Sequence, residues 1–271
     1  MINMVVVVKI GDKVMRSAFS EDALNDFAEV THGTQTVLVH GGGNTVTSIA
    51  EKLGVHQKFV TSPDGFRSRF TDEETIQIYT MVMAGKINKE IVRHLESRKI
   101  QAIGLSGLDG ALIRAERKKK LVIKDERERK RVIDGGYTGK VTTVNSSLLH
   151  MLITAGYVPV IAPIALGLDS EPLNIDGDRT AAYVAGALQA ELLILLTDVE
   201  GVSIDGQVIG RLQVDDAKQK LHNLGPGMIT KVYAALEAIS MGVKKVMISS
   251  GHHTKPFTSA IQEKNGTLIV A

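Results

Sequence analysis

A short apolar run that leads directly into three glycines is the feature that most constrains this chain. Val37, Leu38 and Val39 form the run, His40 follows, and Gly41-Gly42-Gly43 precede apolar residues at helical spacing. Glycines let backbone N–H groups approach a ligand closely, and a helix N-terminus favours anions. The stretch therefore predicts either a site for an anion or carbonyl oxygen, or a tight structural turn.

Apolar strands and helical patterns alternate along the rest of the chain. The runs 5–10 and 192–196 are apolar on both faces, as central parallel strands are. This alternation predicts an α/β fold, a three-layer αβα sandwich with a mainly parallel central sheet. The 271 residues are enough for one large domain, with a soft division near Ala162 into halves 1–162 and 163–271.

Cysteine is missing from the composition, which excludes disulfides, thiolate nucleophiles and cysteine metal sites. The N-terminus has no signal-peptide layout, and no apolar run approaches the roughly 20 residues that span a bilayer. We therefore expect a cytoplasmic protein without a membrane partner.

The segment 55–70 has no clear periodicity and carries Arg67 and Arg69 near its end. Two arginines on a loop suit bidentate capture of a carboxylate, although a solvated loop is the alternative. Thr71, with Glu74 three residues on, forms a capping box that predicts the start of a long helix. Gly85 interrupts the pattern of that helix and predicts a kink.

Three charged residues stand at the ends of predicted elements. Lys9 ends the first central strand, at the edge where open α/β sheets bind ligands, although it could reach solvent instead. Lys231 lies in the first turn of a helix, where a cation is unfavourable unless an anion offsets it. Asp178 shares one side of a predicted strand with Asn174 and Asp176, or caps the next helix.

Positive charge is concentrated between Arg114 and Arg131, where ten Lys/Arg and four acidic residues give +6 in eighteen residues. The whole chain carries +2, so the remainder carries −4. Short β segments here predict either a solvated hairpin or a docking surface for an acidic partner. Nucleic acid is disfavoured because no aromatic residues interleave the charges. The candidate docking residues are Lys118, Lys119, Lys120, Arg127, Arg129, Lys130 and Arg131.

Five motifs resemble those of the amino acid kinase family in order and spacing, most closely its acetylglutamate kinase branch. They are Lys9-Ile10-Gly11, His40-Gly41-Gly42-Gly43, Asn174-x-Asp176-x-Asp178, Thr197-Asp198-Val199-x-Gly201 and Gly227-Met228-Ile229-x-Lys231. Within that branch, the stretches 65–72, 104–110 and 137–139 are similar to the LysZ type. Those kinases phosphorylate the side-chain carboxylate of α-aminoadipate or glutamate while its amino group is held on LysW, a small acidic carrier protein.

The resemblance implies that Lys9 and Lys231 neutralise the phosphoryl group in flight and that Asp178 holds both lysines. It implies ATP as donor, Mg²⁺ held mainly by the phosphates, a homodimer or higher oligomer, and a role in lysine or arginine biosynthesis. The N-terminal half would bind the acceptor and the C-terminal half ATP. The other implied site residues bind the acceptor (Gly42, Gly43, Arg67, Asn174) or the nucleotide (Gly11, Thr197, Asp198, Gly227, Met228).

Two residues depart from the pattern of the family. Asp12 stands where a second glycine usually follows Gly11, and Asp176 stands where acetylglutamate kinases often have Asn. The first departure adds a negative charge beside the predicted phosphate site. The second changes the predicted contacts with the acceptor.

The chemistry of an acyl-phosphate kinase agrees with these parts. A carboxylate is already ionised at pH 7, so it needs positioning and charge cancellation rather than a general base. We therefore assign none of the eight histidines to catalysis. The alternatives are a kinase of free N-acetylglutamate and a non-catalytic sensor. A dinucleotide oxidoreductase is weaker, because three adjacent glycines are not the G-x-G-x-x-G pattern.

Overall fold

A central sheet of eight strands organises the structure, a computed structural model that describes residues 4–225 and 227–271. Pro226, in the predicted turn before Met228, lies outside the described residues. The strands are, in chain order, β1 (Met4–Ile10), β2 (Thr34–His40), β3 (Lys58–Thr61), β4 (Arg67–Phe70), β5 (Ala102–Ser106), β6 (Ile113–Arg117), β7 (Lys120–Lys124), β8 (Lys130–Asp134), β9 (Gly139–Val144), β10 (Val158–Ala162), β11 (Ile164–Leu166), β12 (Pro172–Asn174), β13 (Leu192–Thr197), β14 (Ser203–Ile204), β15 (Gln207–Val208), β16 (Arg211–Gln213), β17 (Lys245–Ser250) and β18 (Gly266–Val270).

Helices connect most of these strands. The α-helices are α1 (Met15–Ala18), α2 (Glu21–Gly33), α3 (Gly43–Lys52), α4 (Glu73–Thr80), α5 (Asn88–Glu96), α6 (Ser146–Thr154), α7 (Gly177–Ala187), α8 (Val214–Lys220), α9 (Met228–Ser240) and α10 (Pro256–Ile261). Short 3₁₀ turns lie at Asp12–Val14, Asp109–Ala111 and Leu221–Asn223, and a π-helical stretch, Met81–Ile87, joins α4 to α5. None of the helices in the described part of the chain combines the length and hydropathy needed to cross a membrane.

The order of the central sheet is β16-β18-β17-β13-β1-β2-β10-β5. The six strands from β17 to β5 are mutually parallel, and β18 is antiparallel to β17. Strands from before residue 163 occupy one side and later strands the other. Lys9 lies beside Val39 of β2 and Leu195 of β13. Both halves of the chain therefore meet at the carboxyl end of β1.

Two apolar cores lie on opposite faces of this sheet. Val6 and Val8 pack into one core with Phe27, whereas Val7 packs into the other with Ala182. Successive residues of a strand point to opposite faces, so the run of valines in β1 serves both layers. The predicted three-layer αβα sandwich with a mainly parallel sheet is confirmed.

A four-stranded sheet, β12-β11-β6-β9, and three hairpins lie outside the central sheet. The hairpin β3–β4 replaces the irregular loop that the sequence predicted at 55–70, so Arg67 and Arg69 lie on strand β4. Both strands are short and largely exposed, so they lack the apolar alternation from which strands are predicted.

Helix α4 is capped by Asp72 and not by Thr71. The Asp72 carboxylate accepts a hydrogen bond from the Thr75 N–H at 2.9 Å. Thr71 is buried instead, and its hydroxyl accepts a hydrogen bond from the Asn174 side-chain amide at 2.9 Å. Both residue types cap helices well, so the contact with Asn174, far along the chain, decides between them.

The predicted kink at Gly85 is a π-helical stretch, Met81–Ile87. It brings two side chains against Gly42, whose φ of +153° suits glycine. A Cβ placed on Gly42 would lie 2.8 Å from Met83 Sδ and closer still to Ile87. The positive φ, together with this close approach, favours glycine at position 42.

Candidate active site

Two lysines from opposite halves of the chain meet on one aspartate. Lys9 Nζ lies 2.7 Å from Asp178 Oδ1, and Lys231 Nζ lies 2.9 Å from Asp178 Oδ2. Lys9 ends β1, Asp178 lies in the first turn of α7, and Lys231 lies in the first turn of α9. The structure thus joins the three residues that the sequence assigned to one site.

Asp178 does not cap α7. Asp176 does so, because its carboxylate accepts a hydrogen bond from the Arg179 N–H at 2.9 Å. Strand β12 ends at Asn174, so the predicted alternation does not extend to Asp178. Because Asp176 satisfies the helix end, both oxygens of Asp178 are available to the lysines.

The charges at this site stabilise one another. Burial alone would raise the pKa of Asp178, but the charges of Lys9 and Lys231 outweigh it and hold that pKa well below its usual range. Burial opposes the charge of Lys231, yet Asp178 raises the pKa of this lysine. Burial and the neighbouring Asp178 carboxylate raise the pKa of Asp176. A single ionised carboxylate, that of Asp178, therefore lies between the Lys9 and Lys231 side chains.

A cavity of about 630 Å³ opens in front of Lys9 and Asp178. The four predicted acceptor-binding residues, Gly42, Gly43, Arg67 and Asn174, also line it. The Arg67 guanidinium lies 4.7 Å from the centre of the Phe59 ring, which orients it. The four predicted acceptor-binding residues therefore line the same cavity as Lys9 and Asp178, whereas Lys231 does not line it.

The first glycine of the site has its N–H occupied. The Gly11 N–H donates to the Leu196 carbonyl at 3.1 Å as an extension of the sheet, and binding of the nucleotide at Gly11 stays a prediction. Asp12, the departure from the family pattern, accepts the Asn44 N–H at 2.8 Å in the first turn of α3. A carboxylate of the chain itself thus lies at the helix N-terminus beside the cavity.

The predicted nucleotide-binding residues lie at two places, the end of β13 and the start of α9. Thr197 ends that strand, and its hydroxyl donates to Asp198 at 3.2 Å. Gly227 is the N-cap of α9, with φ of +88°, and Met228 is the first residue of that helix. None of these four residues lines the cavity.

Sequence reasoning missed Lys13. Its Nζ lies 2.7 Å from Asp198 Oδ2, and this hydrogen bond lowers the pKa of Asp198. The lysine side chain is 70% exposed, so the pair can rearrange around a ligand. The only signal in the sequence was a second lysine four residues after Lys9.

The predicted docking residues separate into two groups. Lys119, Lys120 and the four from Arg127 to Arg131 are exposed on or beside the hairpin β7–β8. Asp125 pairs with Arg129 at 3.0 Å and with Arg131 at 3.5 Å, which offsets part of their charge. Lys118 is instead half-buried and lines the cavity.

His40 supports the glycine turn from beneath. Its Nδ1 donates to the Gly41 carbonyl at 2.8 Å, and its Nε2 accepts from the Asn88 side chain at 3.3 Å. Asn88 also donates to the Val160 carbonyl at 2.9 Å. Complete burial lowers the pKa of His40 to about 4. This histidine is therefore a neutral structural residue and not an acid or base.

We expect His40 to make folding stability depend on pH. Its pKa is lower folded than unfolded, so its contribution is fully present above pH 6.5 and is lost as the pH falls towards 4. The shift corresponds to about 3 kcal/mol of unfolding free energy. Urea unfolding between pH 7 and 4 should show this loss, and His40→Gln should have a shallower dependence. The control variant His252→Gln, at an exposed position, should have the same pH dependence of stability as the wild type. If the pH dependence of His40→Gln were as steep as that of the wild type, the dependence could not be assigned to His40.

Comparison with known proteins identifies relatives over nearly the whole chain. Residues 4–250 match the amino acid kinase family. A protein of Cenarchaeum symbiosum (strain A) named a putative LysW-aminoadipate/LysW-glutamate kinase is 48% identical over 264 residues, covering 97% of this chain and 98% of its own. The LysW-aminoadipate/LysW-glutamate kinase of Saccharolobus solfataricus is 45% identical over 265 residues, with the same coverage. The structure of smu.665 from Streptococcus mutans UA159 superposes with a TM-score of 0.81 at 25% identity, covering 98% of each chain.

Proposed function

Because this chain belongs to the amino acid kinase family, we propose that it phosphorylates an amino-acid side-chain carboxylate while the amino group is held on a LysW-type carrier protein. The acceptor would be α-aminoadipate, glutamate or both, and the product an acyl phosphate. Such a step belongs to lysine or arginine biosynthesis. The observation that carries the proposal is the buried meeting of Lys9 and Lys231 on Asp178, at the edge of an acceptor-sized cavity.

The reaction transfers the γ-phosphoryl group of ATP. An oxygen of the ionised acceptor carboxylate forms a bond to the γ-phosphorus, and the bond from that phosphorus to the β,γ-bridging oxygen breaks, releasing ADP. Negative charge moves from the γ-phosphoryl group to the bridging oxygen as this happens. Lys9 and Lys231 would cancel charge on the moving group, and Asp178 would fix their positions without accepting a proton.

Mg²⁺ is expected to accompany ATP. It keeps several waters and binds mainly to substrate phosphates, so it needs few protein ligands. Within 4–225 and 227–271, no three His, Asp or Glu side chains converge on a possible metal site. We propose that the nucleotide carries the ion and that Asp198, one of the predicted nucleotide-binding residues, is a candidate carboxylate ligand.

One assay tests the proposal directly. ADP release should be measured with carrier-linked glutamate, carrier-linked aminoadipate and N-acetylglutamate offered side by side. The proposal expects a kcat/KM for at least one carrier-linked acceptor well above that for N-acetylglutamate. Turnover of N-acetylglutamate alone would establish the kinase of the free small molecule instead. ATP binding without turnover of any acceptor would establish a sensor.

The exposed cations of the hairpin support the carrier as partner. Beside the cavity, a groove of about 860 Å³ lies between β3 and the β7–β8 hairpin, lined in part by Arg127 and Arg131. Phe59 and Ile123 line both the groove and the cavity. An acidic protein bound along this groove would therefore have a continuous path to the acceptor site.

We expect charge reversal on this surface to weaken the carrier complex. Lys120→Glu/Lys130→Glu should raise the KM for carrier-linked substrate about 10-fold at low salt, because complementary charge steers the encounter. Neither lysine has an ion pair within 4 Å among the described residues. Lys52→Glu/Lys244→Glu makes the same change of charge at exposed positions away from the cavity and should leave KM near the wild-type value. Equal effects of the two double variants would contradict docking on the hairpin.

A further inference from the structure

Lys118 is unlike the other cations of the basic segment. It lies between β6 and β7, is half-buried, and lines the same cavity as Lys9 and Asp178. The adjacent Lys119 and Lys120 are exposed and do not line the cavity. The basic segment therefore directs one ammonium group inwards and the others to its surface.

The backbone around Lys118 is firmly held. The Lys118 N–H donates to the Thr138 carbonyl at 2.8 Å, and Gly135 packs so closely that a Cβ there would lie 1.5 Å from the Lys118 carbonyl oxygen. Next to it, Arg117 lies 4.2 Å from the centre of the Tyr137 ring and donates to the Gly136 carbonyl at 2.6 Å. These contacts hold the Lys118 backbone in place at the edge of the cavity.

Lys118 has no carboxylate at ion-pair distance in the described part of the chain. Among the described residues it has no ion pair within 4 Å, whereas its neighbour Arg179 is paired with both oxygens of Glu237 at 2.5 and 2.7 Å. Burial, and then the charge of Arg179, lower the pKa of Lys118, and Lys140 on the same wall adds to the effect. The charge of Asp176 offsets this only in part. A half-buried ammonium group without a partner is costly unless a ligand supplies the anion.

We propose that Lys118 binds a second carboxylate of the acceptor, one that does not react. This inference rests on the proposed function, in which the acceptor carries a reacting side-chain carboxylate and further carboxylates. The second carboxylate comes either from the amino acid itself or from the carrier segment beside it. In the proposed function Lys9 and Lys231 act on the phosphoryl group, so Lys118 would add a separate anion subsite within the same cavity.

The test compares Lys118→Gln with Lys119→Gln, which removes the same charge one residue away. Lys118→Gln should lower kcat/KM for carrier-linked glutamate about 30-fold through KM, because it removes a charge-assisted hydrogen bond. This loss should persist at 0.5 M salt, and Lys118→Arg should recover part of it. Lys119→Gln should cost no more than about threefold, and added salt should abolish that cost. An unchanged KM for ATP and an unchanged Tm would exclude misfolding.

A second experiment, inhibition by free N-acetylglutamate, identifies the source of the carboxylate that Lys118 binds. If the amino acid supplies it, Lys118→Gln should also weaken inhibition by free N-acetylglutamate; if the carrier supplies it, that inhibition should not change. A Lys118→Gln enzyme no worse than Lys119→Gln would overturn the inference while leaving the proposed function intact. A wild-type enzyme inactive on both carrier-linked acceptors would remove the proposed function, and this inference with it.

Discussion

Replacing Lys9 with Met is expected to lower kcat about 10³-fold with little change in the KM for ATP. The Lys9 ammonium is buried, held 2.7 Å from Asp178, and faces the cavity. A preorganised donor aimed at charge that develops in the transition state is worth about 10²–10³ in kcat, and more when it carries a full charge in a partly dry site. Because this interaction strengthens only in the transition state, its loss appears in kcat.

Steady-state ADP release with carrier-linked acceptor checks this expectation. Methionine is unbranched and replaces the apolar stem of lysine without its ammonium group, and Asp178 retains Lys231 as its partner, so the fold should survive. Lys52→Met, an exposed lysine at the end of α3, is the matched control and should behave as wild type. Retention of more than a tenth of kcat by Lys9→Met would show that this lysine does not stabilise the transferring group.

Replacing Asp178 with Asn is expected to damage both activity and stability. The change leaves two buried ammonium groups, now 2.7 and 2.9 Å from a neutral amide, without their counter-ion. Removing one partner of a buried ion pair costs about 3–5 kcal/mol, and we expect a loss of unfolding free energy in this range. We expect kcat to fall about 10²-fold as the lysines lose their fixed positions.

Urea unfolding at several pH values measures this effect. The pKa of Asp178 is lowered in the folded state, so its stabilising contribution is present above the unfolded pKa of about 4 and is lost as the pH falls further. The gap between wild type and Asp178→Asn should therefore be full at pH 7 and should narrow below pH 4. Asp176→Asn, which keeps an oxygen to cap α7, is the control and should cost less than about 1 kcal/mol. Equal costs for the two variants would show that Asp178 is only part of the helix end.

Local sequence was sufficient for the layers of the fold and for the charged residues of the site. Apolar runs such as β1 and β13 are buried on both faces, so their pattern predicts central parallel strands. Lys9 and Lys231 stood out because each occupies an unfavourable position unless an anion is near. The sequence alone predicts this unfavourable placement, because it requires only that the end of one strand and the start of one helix be located.

Contacts between distant segments decided the rest. Thr71 and Asp72 are equally suitable caps, and so are Asp176 and Asp178. Asn174 bonds to Thr71, which leaves Asp72 to cap α4. The two lysines pair with Asp178, which leaves Asp176 to cap α7. Adjacent lysines at 118 and 119 are equivalent in sequence, yet only the first lines the cavity. Propensity and periodicity are properties of a few neighbouring residues, whereas burial and pairing depend on which strands and hairpins lie next to one another. The sequence by itself therefore determined the layers and, through the family resemblance, pointed to Asp178 as the partner of both lysines. Only the tertiary structure decided which residue caps each helix and which lysine of the basic segment lines the cavity, because burial and pairing depend on distant segments.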